Sequence, residues 1–123
     1  RHQPGVTWTR SGDSYTLIRR LSGDRRQTVF MEPSEHSFGD RLLLFYSICC
    51  RADPEYYEQA LRLNSEMQHG SLAIREIEGV PHFVVVDTYP RSTVDPEEIR
   101  RTVLEIAQYA DQVEQRLTGL DRN

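Results

Sequence analysis

The sequence predicts a two-layer α+β sandwich, in which an antiparallel sheet of about five strands carries two helices on one face. Strand-like segments separated by glycine-containing turns fill the first half, and a long amphipathic helix closes the chain. All the connections are short, so that neighbours in sequence are expected to be neighbours in space. The predicted order of elements is β-β-β-α-β-β-α.

The first half of the chain is predicted to form strands joined by tight turns. The tripeptide Ser-Gly-Asp occurs at 11–13 and again at 22–24, and each copy is a turn signal. These turns delimit strands over 14–21 and 26–32, and a short additional strand over 6–10 is an option. Residues 1–5 contain a proline and a glycine and are expected to form a loose lead-in.

The segment 41–51 is predicted to be a buried central strand. It is a dense apolar run that follows Gly39 and precedes Asp53 and Pro54, and its length favours a buried strand over a helix. Its large apolar residues are Leu42, Leu43, Leu44, Phe45, Tyr46 and Ile48.

A first helix is predicted from Pro54 to about Gln68, with Asp53 as its cap and Gly70 as its stop. The predicted inner stripe consists of Tyr57, Ala60, Leu61, Asn64 and Met67, with Tyr56 and Leu63 at its flanks. Asn64 is the polar member of this stripe. Its amide must find hydrogen-bond partners, and we expect backbone groups of a neighbouring loop to supply them.

A hairpin and a second helix complete the fold. Strands over 71–77 and 82–89 are joined by a turn at Glu78 and Gly79. The second helix begins with a capping box at Asp95 and Glu98, and Gly119 ends it. One continuous apolar stripe runs along it: Ile99, Val103, Ile106, Ala107, Ala110, Val113 and Leu117.

Composition describes one ordinary globular domain spanning 1–123. The chain is 37% hydrophobic and 28% charged, and no apolar run approaches the roughly 18 residues that a membrane span needs. The net charge of −4 argues against a nucleic-acid partner, and every basic residue other than histidine is arginine. Because the chain starts at Arg1 rather than Met, an accessory module cut from a larger signalling protein is an alternative expectation.

The two cysteines, Cys49 and Cys50, are adjacent in the sequence. Neighbours on a strand face opposite sides of the sheet, and a disulfide between them would be strained. We therefore expect two reduced thiols, one of them buried, which fits a cytoplasmic protein.

No reactive constellation is apparent, so no catalytic, cofactor or metal site is predicted. The four histidines lack the spacing of a metal site, and no glycine-rich phosphate loop or nucleophile elbow is present. The alternative is a small metal-binding or hydrolytic domain that uses His36 or His82 with acidic neighbours such as Asp40 or Asp87.

The aromatic residues suggest an interface instead. They exceed what one face of a small sheet needs, and consecutive aromatic residues on a strand cannot both point inward. We therefore expect some apolar surface to meet another protein, above all a second copy of this chain. The candidate interface residues are Trp8, Phe45, Tyr46, Tyr56 and Tyr57.

Three stretches, together with the order of elements, resemble a known family: 60–64 (ALRLN), 69–74 (HGSLAI) and 110–119 (ADQVEQRLTG). The chain resembles the type III secretion chaperone-like superfamily, particularly its YbjN-type branch of sensory-transduction regulators and its Tir-chaperone branch. The resemblance implies a non-catalytic, cofactor-free bacterial domain that commonly dimerises and binds an extended segment of a partner protein. The family usually opens with an amphipathic helix, which residues 1–6 cannot supply.

Overall fold

The computed structural model describes residues 6–21, 25–35, 39 and 41–120. Their elements, in chain order, are β1 (Val6–Ser11), β2 (Ser14–Arg20), β3 (Arg26–Glu35), β4 (Arg41–Arg51), α1 (Tyr57–Asn64), β5 (Ser71–Ile77), β6 (Val80–Pro90) and α2 (Pro96–Leu120). One sheet contains all six strands in the order β1-β2-β3-β4-β6-β5, and every neighbouring pair is antiparallel. The predicted α+β class and antiparallel sheet are confirmed.

The strand count differs from the prediction. The segment treated as an optional strand is a full member of the sheet, paired with β2 from Val6 opposite Arg19 to Ser11 opposite Ser14. The turn at Gly12 is tight enough to bring these two segments together along their whole length. The sheet therefore has six strands rather than about five. The predicted lead-in over 1–5 lies outside the described residues.

Alternation along each strand gives the sheet two faces, which we call the core face and the open face. Helix α2 lies across β2, β3, β4 and β6 on the core face, and α1 packs against β5 and α2. The buried cluster between the layers includes Leu17, Val29, Phe45, Phe83, Val85, Val103, Ile106, Ala107, Ala110 and Leu117. The apolar stripe predicted for the last helix is thus the stripe that packs on the sheet.

Helix α2 begins as its sequence predicts. The Glu98 backbone N–H donates to Asp95 Oδ1 over 2.8 Å, and the Asp95 N–H donates to Glu98 Oε1 over 3.1 Å. These reciprocal bonds satisfy donors that a helix start leaves without partners. They therefore fix where the helix begins.

Helix α1 is shorter than predicted and is rotated about its axis. It is preceded by a 3₁₀ turn over Pro54–Tyr56 and ends at Asn64. The buried residues are Tyr56 in the 3₁₀ turn and Ala60 and Leu63 in the helix, whereas Tyr57 is 42% and Leu61 is 70% exposed. The prediction that residues 57 and 61 face inward is therefore wrong. Two apolar stripes with the same helical spacing run along this segment, and spacing alone does not distinguish them.

Asn64 has the role that was expected of it. Its Oδ1 accepts a hydrogen bond of 2.9 Å from the Leu72 backbone N–H. The partner lies in β5 rather than in a loop. The side chain therefore ties the end of α1 to the strand that follows it.

The two cysteines are free, as predicted, but they do not face opposite sides of the sheet. Between β4 and β6 the register passes from Ile48 opposite Val84 to Cys50 opposite Phe83, which leaves Cys49 as the extra residue of a β-bulge. Cys49 is buried in the core and Cys50 packs against it. The bulge therefore overturns the predicted alternation.

Candidate protein-binding surfaces

Strand β4 is apolar on both of its faces. Its side chains at 43, 45, 47 and 49 lie on the core face, where Phe45 is fully buried. The intervening side chains on the open face are Leu42, Leu44, Tyr46 and Ile48. Strands with two apolar faces are typical of sheets covered on both sides. In the part of the chain that the structure describes, both helices pack on the core face only.

An aromatic pair forms the centre of the open face. Phe30 of β3 and Val86 of β6 lie directly opposite Tyr46. The rings of Phe30 and Tyr46 stack with their centroids 4.9 Å apart and their planes 22° apart. Leu44 and Ile48 flank the pair along β4. The result is a continuous apolar strip across three strands, in which Tyr46 is buried and the residues around it are partly exposed.

Arg75 of β5 lies over this strip. Its guanidinium carbon is 4.1 Å from the centroid of the Tyr46 ring, and its Nη2 is 3.6 Å from Glu32 Oε1. Burial, with a further contribution from the charge of Glu32, raises the pKa of Tyr46, while Arg75 opposes the rise. The phenol therefore stays neutral at physiological pH. The ion pair is partly exposed and adds little to stability, so that an incoming partner can displace it at low cost.

A second apolar surface, the edge patch, lies beside the outer strand β5. It comprises Tyr57, Leu61 and Ile74, which are 42%, 70% and 50% exposed. The first two share one face of α1, and the Tyr57 ring is 6.1 Å from the ring of Phe83, which pairs with Ile74. The patch thus continues from the helix to the edge of the sheet.

A third surface is a groove between β1, β2 and the start of α2, with a volume of about 1270 Å³. Its apolar lining consists of Trp8, Tyr15, Met31, Pro33, Leu43, Pro96 and Ile99. The rings of Trp8 and Tyr15 meet edge to face with centroids 6.2 Å apart. Neither helix packs closely on β1, so that none of the described elements covers this end of the core face.

The five residues predicted for an interface do not converge on one surface. Phe45, Tyr46 and Tyr56 are all buried, at 0%, 8% and 9% exposed, and Phe45 and Tyr56 belong to the core between the layers. Tyr46 lies on the open face, Tyr57 in the edge patch and Trp8 in the groove. Sequence reasoning missed Phe30, Leu61, Ile74 and Arg75. For the open face a signal did exist, because residues 42–46 are apolar in both alternating registers.

The residues proposed for a hydrolytic or metal site are not brought together where the structure describes them. His82 lies on the open face, with Nδ1 2.9 Å from the Val80 carbonyl oxygen, whereas Asp87 lies on the core face of the same strand. Among the described residues, no group of three or more His, Cys, Asp or Glu side chains is placed to hold a metal ion. His36 and Asp40 lie outside the described residues.

The thiols are poorly suited to nucleophilic chemistry. Burial raises the pKa of Cys49 well above its usual range, with Cys50 and Glu114 contributing. Burial and the charge of Glu114 also raise the pKa of Cys50 to about 11. Since the thiolate is the reactive form, both side chains are held in their unreactive form near neutral pH.

No helix in the described part of the chain is long and apolar enough to cross a bilayer. Neither a protein-family model nor a curated protein matches the sequence. The surfaces described above are therefore the basis for a functional proposal.

Proposed function

We propose that this chain is a non-catalytic protein-binding domain, chaperone-like or regulatory, which works as a homodimer and binds an extended segment of a partner protein on its open face. The observation that carries the proposal is the apolar open side of β4. A sheet face exposed to water normally carries polar side chains, yet Leu44, Tyr46 and Ile48 follow one another there. Covering them removes apolar surface from water.

The shape of the open face fits an extended chain. A strand presents alternate side chains to one side, so that an extended partner can lay every second side chain onto the strip around Phe30 and Tyr46. The resemblance of 60–64, 69–74 and 110–119 to type III secretion chaperone-like proteins supports the same reading, because those proteins bind extended client segments.

The edge patch supports the homodimer. It joins exposed apolar side chains to β5, an outer strand whose far edge has no partner strand among the described residues. An outer strand with an apolar flank is suited to pairing with its own copy about a twofold axis. Such a dimer would bury Leu61, which is otherwise the most exposed large apolar side chain on the described surface.

Site-specific photo-crosslinking tests the partner-binding face. The photoreactive residue p-benzoylphenylalanine is placed at position 30 on the open face or at position 108, which is exposed on α2. In cells that naturally produce the protein, we expect covalent adducts with another polypeptide from position 30 and few from position 108. Equal adducts from both positions, or none from position 30, would contradict the proposal.

Light scattering tests the homodimer. We expect the wild-type chain to be a dimer at tens of micromolar and Leu61→Glu to be a monomer, because a buried, unpaired carboxylate opposes association. Gln59→Glu adds the same charge at an exposed position of the same helix and should remain dimeric. A monomeric wild-type protein would refute this part of the proposal.

A further inference from the structure

We propose that the open face selects a partner segment that is acidic as well as apolar, and that a row of basic side chains across one end of this face makes the selection. We call it the basic row: the arginines Arg20, Arg26, Arg51 and Arg75, together with His82. The inference rests on the proposed function, since it concerns the same face and the same kind of partner.

The hairpin of β2 and β3 contributes the first two members of the row. Arg20 lies directly opposite Arg26. Each is three residues from a fully buried core residue, Leu17 in β2 and Val29 in β3, and an odd spacing on a strand places two side chains on opposite faces. Both arginine side chains therefore lie on the open face, and both are exposed.

The other three members lie on β4, β5 and β6. Arg51 and Arg75 are the two cross-strand neighbours of His82, one on each side of β6. The position of Arg75 above Tyr46 establishes that this trio is on the open face. Since β3 begins at Arg26 and the antiparallel β4 ends at Arg51, all five side chains belong to the same end of the sheet.

The arginines of this row outnumber the acids that the described strands place on the same face. Like charges directly opposite each other on a sheet are destabilising, yet Arg20 faces Arg26 in a protein whose net charge is −4. Among the described residues, Arg20, Arg26 and Arg51 form no ion pair. The strands place one acid on this face, Glu32, and it already pairs with Arg75.

Two further acids among the described residues lie at this end of the sheet. Glu78 in the β5–β6 turn adds one negative charge, and Asp53, whose Oδ1 accepts from the Glu55 N–H over 3.1 Å as the cap of the 3₁₀ turn, adds another. Neither of them forms an ion pair with an arginine of the row. The open face therefore combines an apolar centre with an arginine-rich end.

Charge complementarity then defines the partner. A segment with apolar side chains for the strip and carboxylates for the row satisfies both parts of the face, because the arginine guanidinium matches a carboxylate in a bidentate geometry. Within the chain, the guanidinium of Arg75 makes one contact of 3.6 Å with the carboxylate of Glu32, and a partner carboxylate can replace Glu32 there.

A single-stranded nucleic acid would also be attracted to arginines and aromatic rings. However, the ring of Tyr46 already stacks on Phe30 and lies beneath the guanidinium of Arg75. Base stacking needs a free ring face, and the Tyr46 ring already has two partners within the chain. The geometry therefore favours an acidic polypeptide, and a nucleic acid becomes an outcome of the test.

Fluorescence anisotropy with defined probes tests the inference. Three labelled peptides of about 12 residues, long enough to cross the face when extended, carry the same apolar residues alternating with Glu, Ser or Lys. A labelled single-stranded oligonucleotide is the fourth probe. We expect the Glu peptide to bind about tenfold more tightly than the Ser peptide, the Lys peptide to bind least, and salt to reduce the difference.

Reversing the charge of two arginines tests whether the row causes the preference for the Glu peptide. The double variant Arg26→Glu, Arg51→Glu should lose about tenfold affinity for the Glu peptide and gain affinity for the Lys peptide. It is expected to fold, because both positions are exposed and the carboxylate introduced at position 26 faces Arg20. Arg101→Glu, at an exposed position of α2, changes charge in the same direction and should leave all affinities within about twofold.

The outcomes separate this inference from the proposed function. Equal affinities for the Glu and Ser peptides, unchanged in the double variant, would overturn the inference while apolar binding by the open face stands. Tighter binding of the oligonucleotide than of the Glu peptide, lost in the double variant, would overturn it in favour of a nucleic acid. Failure of every probe to bind would overturn both proposals.

Discussion

Gly70 allows the chain to pass from α1 into β5 against the backbone of β6. Its φ of +75° is in the left-handed region, and a Cβ built on it would lie 2.8 Å from the Val86 carbonyl oxygen. Real Cβ atoms do not approach backbone oxygens so closely. Only glycine therefore fits both the dihedral angle and the space.

Replacing Gly70 by alanine should be costly for both reasons. We expect Gly70→Ala to lower the free energy of unfolding by about 3 kcal/mol, measured by urea denaturation. Gly79→Ala is the matched control: φ is +80° there, but nothing lies within 4 Å of the added Cβ, so that only about 1 kcal/mol should be lost. Equal losses for the two variants would show that the contact with Val86 does not constrain the chain.

Single residues also show what the sequence could and could not predict. The hydrogen bond of Asn64 was predictable, because a polar amide on a helix that packs on a sheet must find a partner. The side of the sheet on which Cys49 and Cys50 lie was not predictable. They depend on a bulge opposite Phe83, and a bulge is a property of two strands together rather than of one segment.

The two helices differ in how far their own sequences determine them. α2 carries a capping box and one apolar stripe, and both signals act locally, so that its start and its buried face were predictable. α1 is shorter and carries two competing stripes. The choice between them follows from contacts with β5 and α2, which no local pattern reveals.

The cap of α2 gives a prediction for a whole element. Asp95→Ala removes the acceptor for the Glu98 N–H and should lower the free energy of unfolding by about 1 kcal/mol. Asp95→Ser restores an acceptor at the same position and should recover most of the loss. Urea denaturation monitored by circular dichroism measures both. If Asp95→Ala left the free energy of unfolding unchanged, packing alone would hold the start of the helix.

At the scale of the whole molecule, the sequence predicted the two layers but not where the surplus apolar surface lies. The interface prediction relied on aromatic side chains, and two of them, Phe45 and Tyr56, are needed to fill the core. The strip around Tyr46 was harder to find, because the face on which each residue of β4 falls is set by pairing with β3 and β6. Whether a residue of β4 is exposed therefore depends on how the strands pair in the complete sheet.

The two faces of that sheet can be compared with adjacent residues of β6. Val85 is fully buried beneath the helices, whereas Val86 is partly exposed opposite Tyr46. Threonine has the shape and strand preference of valine, so that a Val→Thr change mainly tests whether a hydroxyl is buried without a partner.

Val85→Thr should therefore lower the free energy of unfolding by about 2 kcal/mol, and Val86→Thr by less than about 1 kcal/mol, because water can reach the second hydroxyl. Urea denaturation at low protein concentration, without any partner protein, measures both. If Val86→Thr proved as costly as Val85→Thr, the open face would already be covered in the isolated protein. It would then not be the surface that a partner segment has to cover.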